Sequence, residues 1–266
     1  MLQPNQLNQY ISLGNSSGFF GYGKWESEIY ILGIEEAGCY SEELIQSKID
    51  NYFHLAFGDD GLFDNRRFQY NLVDLMDPKL KNYADFYDGN MRKRGYVQKV
   101  STLLKVLENS EIETYNYVQN LLGSVDSNHT LIEILPLPCP TVKHWFYPNW
   151  VDCKLLPFMR SKRLYKNEII KIRSSFIRTK IETSEEKKLI LFLADGRDKV
   201  NYWNQISPVQ ISDYNVINGI RYHISANRKM YVVLPFPGSR ASNGIFNSEV
   251  EIINIATEIQ QMFYNL

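Results

Sequence analysis

Two short apolar runs near opposite ends of the chain constrain its fold more than any other feature. The first spans residues 28–34 and leads into two adjacent acids, Glu35 and Glu36, whereas the second spans 230–234 and leads into Pro235. Each run ends at glycine or proline and is followed by signals for a helix start. A buried parallel strand that delivers a loop at its carboxyl end has this pattern. The runs therefore predict a parallel sheet with functional loops along one edge.

The rest of the chain alternates strand and helix patterns. Strands are predicted at 28–34, 130–135, 188–194 and 230–234, with an edge strand at 221–225. Helices are predicted at about 41–57, 96–107, 112–122, 164–181 and 248–263, the last opened by a capping box. A helix or a turn is predicted at about 200–205. The second strand is expected to end before Pro136, because proline cannot join a central ladder.

The alternation predicts a single domain over residues 1–266, with a three-layer α/β/α fold and a central, mainly parallel sheet of about four strands. Residues 1–27 are predicted to be an irregular lead-in, and residues 58–95 an irregular insertion. With 44% hydrophobic residues, the chain has enough apolar mass for one sizeable core.

Composition excludes several classes of protein. The three cysteines show no C-x-x-C spacing and the four histidines no ligand-like spacing, so neither a disulfide framework nor a metal or cofactor site is predicted. Because no secretory signal and no membrane-spanning run is recognised, we expect a cytoplasmic protein without a membrane partner. The oligomeric state is not indicated.

Charge is distributed unevenly, although the net charge is only −1. Residues 154–180 carry nine basic side chains and one acid, whereas residues 26–60 carry nine acids and one lysine. One interpretation is two solvated helices that attract each other. The other is a surface that binds the phosphates of DNA or RNA. The candidate phosphate-binding residues are Arg163, Lys166, Arg173 and Lys180.

Candidate chemistry lies at the predicted carboxyl ends of the strands. The chain lacks the G-x-S-x-G and G-x-x-x-x-G-K-[ST] motifs, which argues against an α/β-hydrolase and a P-loop nucleotidase. Glu35, Glu36, Glu133 and Asp195 remain, together with the turn that begins at Pro237. Glu133 interrupts an apolar strand, and a carboxylate there is costly unless it is paired or lines a wet pocket. Asp195 is better explained as a helix N-cap, because Asp-Gly after a strand suits a turn.

The order of these motifs resembles the uracil-DNA glycosylase superfamily in four short islands of the chain. Residues 33–38 look like its first catalytic loop, with Glu35 at the position of the water-activating residue and Glu36 in place of the usual proline. Glu133 falls where members hold a base-reading asparagine. The run 236–240 looks like the last loop, with Phe236 in place of the histidine.

The resemblance implies a DNA-repair hydrolase that binds a nucleobase and hydrolyses an N-glycosidic bond. The implied catalytic residues are Glu35 and Glu36. The implied base-binding residues are Gly33, Glu133, Phe236, Pro237, Gly238, Ser239 and Arg240. Without the histidine, stabilisation of the departing base would come from Ser239, Arg240 or backbone N–H groups. An ionised Glu133 would repel a uracil carbonyl, so uracil excision itself is not expected.

Two alternatives remain open. The chain is a non-enzymatic module of the same fold that binds a nucleotide or a partner, or it is a small-molecule enzyme on an unrelated α/β scaffold. Aromatic residues are abundant, with 18 Tyr, 14 Phe and 4 Trp, and they concentrate in the loop at 144–150. Such rings fill a core by default, and a subset of exposed rings would serve as stacking platforms for bases.

Overall fold

The computed structural model describes residues 1–11, 18–37, 41–55, 61–75, 95–139, 144–194, 196–237, 246 and 248–266. For residues 35–37, 70, 72–75, 197 and 198 it describes the backbone alone. Within these ranges the chain is an α/β protein with a mixed central sheet between helices. Among the helices described, none is both long and apolar enough to cross a membrane.

Eight helices and eight strands make up the described part of the chain. The helices are α1 (Pro4–Tyr10), α2 (Glu42–Leu55), α3 (Asn65–Leu75), α4 (Gly95–Leu107), α5 (Thr114–Asn120), α6 (Lys162–Thr183), α7 (Arg197–Trp203) and α8 (Glu249–Tyr264). The strands are β1 (Gly21–Tyr22), β2 (Ile29–Ala37), β3 (Leu62–Phe63), β4 (His129–Cys139), β5 (Lys188–Leu193), β6 (Asn215–Ile217), β7 (Ile220–Ile224) and β8 (Lys229–Leu234).

The sheet has eight strands in the order β3-β1-β4-β2-β5-β8-β7-β6. Its four central strands, β4, β2, β5 and β8, are parallel to their neighbours, and these are the four strands predicted from apolar runs. The prediction of about four strands is too low, because short strands extend the sheet at both edges. The strand β7 pairs with β8, in antiparallel orientation, but it is not the edge strand that was predicted, since β6 pairs with its outer side.

The added hairpin has a local cause. Asn218 and Gly219 link β6 to β7 and have φ angles of 48° and 81°. These positive values fit a two-residue hairpin turn, for which Asn-Gly is the preferred sequence. The predicted lead-in also gains structure, since it contains α1 and β1, and the predicted insertion contains β3 and α3. Residues 76–94 of that insertion lie outside the described residues.

Two strands run further than predicted. The strand β2 continues through Glu35 to Ala37, and β4 continues through Pro136 and Pro138 to Cys139. They remain paired up to Ala37 and Cys139, with a register shift after Glu35. Glu35 and Glu36 therefore lie in a strand and not in a loop.

The prolines are tolerated because β1 covers only the first half of the outer side of β4, at Leu131 and Ile132. Beyond that point side chains replace a neighbouring strand. The Tyr165 hydroxyl accepts from the Leu137 N–H at 3.2 Å, and the Tyr147 hydroxyl donates to the Pro138 carbonyl at 2.9 Å. A proline on a strand without a continuous neighbour interrupts no central ladder.

Helices pack on both faces of the sheet, as an α/β layer structure requires. On one face α6 and the N-terminal segments cover a core that includes Tyr30, Ile190 and Phe192. On the other face α4, α5 and α8 cover Ile31, Leu191 and Val232. The capping box predicted for α8 is present, since Ser248 and Glu251 bond to each other's backbone N–H groups.

Buried tyrosine hydroxyl groups give the fold a marked dependence on alkaline pH. Burial, as the largest cause, raises the pKa of four nearly inaccessible tyrosines above the ordinary value of 10.0: Tyr30, Tyr117, Tyr214 and Tyr231. Below pH 10 these groups are neutral in the folded and the unfolded chain. Above it the unfolded chain releases protons that the folded chain retains.

We therefore expect the free energy of unfolding to fall as pH rises above about 10, by up to roughly 1.4 kcal/mol per pH unit for each such tyrosine. Lys188 and Lys229, whose pKa values burial lowers from 10.5, act in the opposite direction, and only below that value. Urea unfolding between about pH 8 and 11.5 measures the effect, and tyrosinate absorbance controls for ionisation. A free energy of unfolding that does not change above pH 10 would contradict the prediction.

Candidate functional site

Glu133 lies beside Gly33 at the centre of the parallel sheet. The two residues are partners in the pairing of β2 with β4. A Cβ atom on Gly33 would lie 2.6 Å from the Glu133 Oε2 atom and 2.7 Å from Oε1, which is far below contact distance. The glycine therefore gives the Glu133 carboxylate room to lie over the backbone of β2. Any side chain at position 33 would displace that carboxylate.

An aromatic pair stands next to this carboxylate. Tyr96, in the first turn of α4, stacks on Phe236, with 5.0 Å between ring centroids and 18° between ring planes. Burial, with a contribution from Glu133, raises the pKa of the Tyr96 hydroxyl. Tyr96 is therefore a neutral phenol at physiological pH and is close enough to Glu133 for their charges to interact. Phe236 keeps 42% of its surface exposed.

The chain that leaves β8 is held at this position by α4. The Lys99 ammonium group donates to the Pro237 carbonyl at 3.1 Å, one turn beyond the Tyr96 stack. Pro237 itself is buried. Two contacts from one helix thus fix the start of the predicted last loop, close to Glu133.

The structure brings part of the predicted site together. Gly33 lies against Glu133, Phe236 stacks on Tyr96, and Tyr96 is within electrostatic range of Glu133. Glu35 and Glu36 follow Gly33 in β2, but their side chains lie outside the described part of the structure. Gly238, Ser239, Arg240 and Asp195 are also outside the described residues, so their predicted roles stay predictions.

Arg173 does not lie where a phosphate contact requires. Its side chain is fully buried, and it donates from Nε to the Ile134 carbonyl at 2.6 Å and from an Nη atom to the Glu133 carbonyl at 2.8 Å. Its guanidinium carbon lies 3.9 Å from the centroid of the Phe20 ring. Burial lowers the pKa of Arg173 to about 10, which leaves it charged at neutral pH. Arg173 thus stabilises the outer side of β4 and cannot contact a ligand on the surface of α6.

The other three phosphate candidates do not form one patch. Arg163 is exposed in the first turn of α6, and the Lys166 ammonium group lies 5.8 Å from the Tyr202 ring on α7. Lys180 lies over Trp25 and Phe176 at 5.5 Å. At 1.5 Å rise per residue, Lys180 is about 26 Å along the helix from Arg163. Only Arg163 and Lys166 are at the end of α6 that faces the carboxyl ends of the strands.

A separate depression of about 380 Å³ opens between α4, α5 and α8. Lys99, Glu113, Thr114 and Glu249 are among the residues that line it. Of the predicted site residues that the structure describes with their side chains, none lines this depression. Within the described residues, no group of three or more His, Cys, Asp or Glu side chains is arranged to hold a metal ion.

Sequence reasoning missed Tyr96 and Lys99. Both belong to the first turns of α4, and the apolar stripe that identified this helix does not indicate which neighbouring strand end it meets. The signal was the direction of the helix, since a helix that precedes β4 in an α/β unit places its N-terminus at the carboxyl ends of the strands. No protein-family model matches the chain. No curated protein matches it either.

Proposed function

We propose that the crevice around Glu133 binds a nucleobase or nucleotide, and that the protein is a divergent glycosylase-like hydrolase of N-glycosidic bonds. The observation that carries this proposal is the Glu133 carboxylate lying over Gly33 beside the Tyr96–Phe236 stack. A carboxylate that reads a polar edge, next to aromatic rings that contact a flat face, is how proteins hold an extruded base.

The chemistry of Glu133 selects the base. An ionised carboxylate accepts hydrogen bonds and donates none. It therefore favours a base edge with amino or imino hydrogens and disfavours the carbonyl oxygen that uracil presents. The neutral Tyr96 phenol, within electrostatic range of Glu133, is a hydrogen-bond donor, so an edge that combines an amino group with an acceptor suits the two groups.

Support for the glycosylase-like part comes from the position of the motifs. Gly33 lies in β2, Glu133 lies in the neighbouring β4, and Phe236 follows the end of β8, which is the chain order of the motifs in the resemblance. Glu35 or Glu36 would activate the water that attacks the sugar carbon. Ser239, Arg240 or backbone N–H groups of the last turn would stabilise the departing base. The proposal needs no metal and no cofactor.

One observation favours a second candidate, which is binding without hydrolysis. The Phe236 ring stacks on Tyr96 at the position where the resemblance expects a histidine. A phenyl ring contributes stacking but no hydrogen bond to a departing base. A module that only holds a base or nucleotide would keep Glu133, Tyr96 and Phe236 and would not depend on Glu35.

Replacing Glu133 with glutamine is expected to change which base the protein prefers. The amide donates where the carboxylate only accepts, so affinity for a base with an amino edge should fall about tenfold to a hundredfold. Affinity for a carbonyl edge should rise. Oligonucleotides with single deaminated, oxidised or alkylated bases report both binding and base release.

The matched control is Glu168→Gln, which removes the same charge from an exposed position on α6. Equal base preference in the Glu133 variant, the control and the unaltered protein would rule out base reading by Glu133. Release of a base from any of these oligonucleotides would favour the hydrolase over the binding module. Absence of binding to every oligonucleotide would favour a small-molecule enzyme.

A further inference from the structure

We propose that three rings at the carboxyl end of β4 form a stacking surface for single-stranded nucleic acid. The rings are His144, Phe146 and Trp150, here called the aromatic platform. This inference rests on the proposed function in one respect, since it takes nucleic acid as the ligand. It adds the class of substrate, which is an unpaired strand.

The platform is a ladder of rings in sequence. His144 stacks on Phe146 with 5.5 Å between centroids and 7° between planes, and Phe146 approaches Trp150 at 5.9 Å and 31°. His144 is exposed, and Phe146 and Trp150 are half-buried. Rings that only fill a core do not end in an exposed stack. A base that stacks on the outer ring would continue the ladder.

Hydrogen bonds fix the platform to the sheet. The buried Tyr147 donates to the Pro138 carbonyl near the end of β4. The Trp145 indole N–H donates to the Met159 carbonyl at 2.7 Å, and the Trp150 carbonyl accepts from the Leu2 N–H at 2.7 Å. The rings are therefore held before a ligand arrives, which reduces the ordering cost of binding.

Positive charge is concentrated in the stretch of chain that contains and follows the platform. Between residues 144 and 167 the chain has one acid and five basic residues: Lys154, Arg160, Lys162, Arg163 and Lys166. The one acid, Asp152, accepts from the Lys154 backbone N–H at 2.8 Å. Lys154, Arg160 and Arg163 are exposed. Aromatic rings interleaved with cations bind single strands, because every base has a face to stack and every phosphate a charge to neutralise.

The geometry favours an unpaired strand over a duplex. In a duplex each base face is covered by the neighbouring bases, so the stacked rings could contact only the base pairs at the two ends of the duplex. In a single strand the faces are accessible, and each stacked base contributes to affinity with little dependence on sequence. The platform follows the carboxyl end of β4 and Phe236 follows the carboxyl end of β8, so both are at the same edge of the sheet.

The test is fluorescence anisotropy with a labelled oligothymidylate of about twelve nucleotides and a duplex of the same length. Phe146→Leu keeps apolar bulk but removes the middle ring, on which the exposed His144 ring stacks. The ladder is then interrupted, so affinity for the single strand should fall about fivefold to a hundredfold. Phe146→Trp restores a ring and should restore the affinity. An unchanged urea midpoint verifies that both variants are folded.

The salt dependence of single-strand affinity tests whether the basic residues near the platform contact phosphates. Arg163→Gln should reduce the slope of affinity against salt by about 0.7, which is the value for one phosphate contact of a single strand. Lys180→Gln, at the far end of α6, is the matched control and should leave the slope unchanged. Equal loss of slope in both variants would overturn the location of the surface.

The outcomes separate this inference from the proposed function. If Phe146→Leu loses single-strand binding while Glu133→Gln leaves base preference unchanged, the platform binds the strand and Glu133 does not read a base. Duplex binding as tight as single-strand binding overturns the platform, and so does full affinity in Phe146→Leu. Base release that persists in Phe146→Leu with unchanged affinity leaves the crevice as the only nucleic-acid site.

Discussion

Replacing Arg173 with methionine is expected to lower the free energy of unfolding by about 3–5 kcal/mol. The side chain is buried, and its two hydrogen bonds go to the carbonyls of Glu133 and Ile134. Methionine leaves both carbonyls without these donors on the outer side of β4, where β1 no longer reaches. Each unsatisfied buried acceptor costs about 1–3 kcal/mol. Urea unfolding followed by circular dichroism measures the loss.

Lys171→Met is the matched control, because Lys171 is exposed on the same helix two residues away. Its effect should stay within about 0.5 kcal/mol. Arg173→Lys should recover little of the loss, since one ammonium group cannot reproduce the planar fork that reaches two carbonyls. If Arg173→Met and Lys171→Met have the same free energy of unfolding, the Arg173 side chain does not stabilise β4.

Arg173 also connects the fold to the crevice. The carbonyl it holds belongs to Glu133, and the N–H of Glu133 donates to the Phe20 carbonyl. The Phe20 ring in turn lies under the Arg173 guanidinium group. The Glu133 backbone is therefore hydrogen-bonded on the outer side of β4, while β2 pairs with the inner side of the same strand. A functional side chain supported in this way loses little conformational freedom when a ligand binds.

The four central strands could be predicted because each is a nearly continuous apolar run, which is typical of a parallel strand buried on both faces. The additional strands could not. β1 and β3 have two residues each and β6 has three, so they contain no periodic signal. Their pairing depends on partners elsewhere in the chain. The Asn-Gly pair was a local signal for the β6–β7 hairpin that the prediction did not use.

The phosphate prediction failed at Arg173 because counting charge ignores helical period. The residues of α6 that are buried four apart are Tyr165, Ile169, Arg173, Ile177 and Ile181. Arg173 stands in the middle of this stripe. A spacing of four along an apolar stripe places a residue on the buried face whatever its charge. The same period leaves Arg163 off the stripe, where it is exposed.

Only those site residues that lie in or directly after a predicted strand could be identified from the sequence. Glu133 was identified because a carboxylate in an apolar strand requires an explanation. Phe236 was identified because it comes directly after a predicted strand. Tyr96 gave no comparable signal, since a tyrosine at a helix start is unremarkable until the helix is placed beside β8. Its proximity to Glu133 arises from packing between elements far apart in sequence.

Replacing Glu35 with glutamine is expected to lower the rate of base release about a hundredfold to ten-thousandfold, while ligand binding and the fold are retained. The amide keeps the shape of the side chain but cannot take a proton from water. Glu35 is the choice because the resemblance places it at the water-activating position, and because its backbone pairs with Leu135 two residues after Glu133. Single-turnover release of the base from an oligonucleotide measures the rate.

Glu36→Gln is the control for this prediction, because it changes the neighbouring residue by the same atoms. Glu35 and Glu36 are consecutive in β2, and the resemblance assigns the water-activating role to Glu35. One substitution should therefore abolish release, and the other should leave it within a few-fold of the unaltered protein. Release that persists in both variants would exclude a general base from this pair. Strand binding that persists after both substitutions, with no release at any stage, would instead identify the protein as a binding module, which is the outcome that the phenyl ring of Phe236 favours.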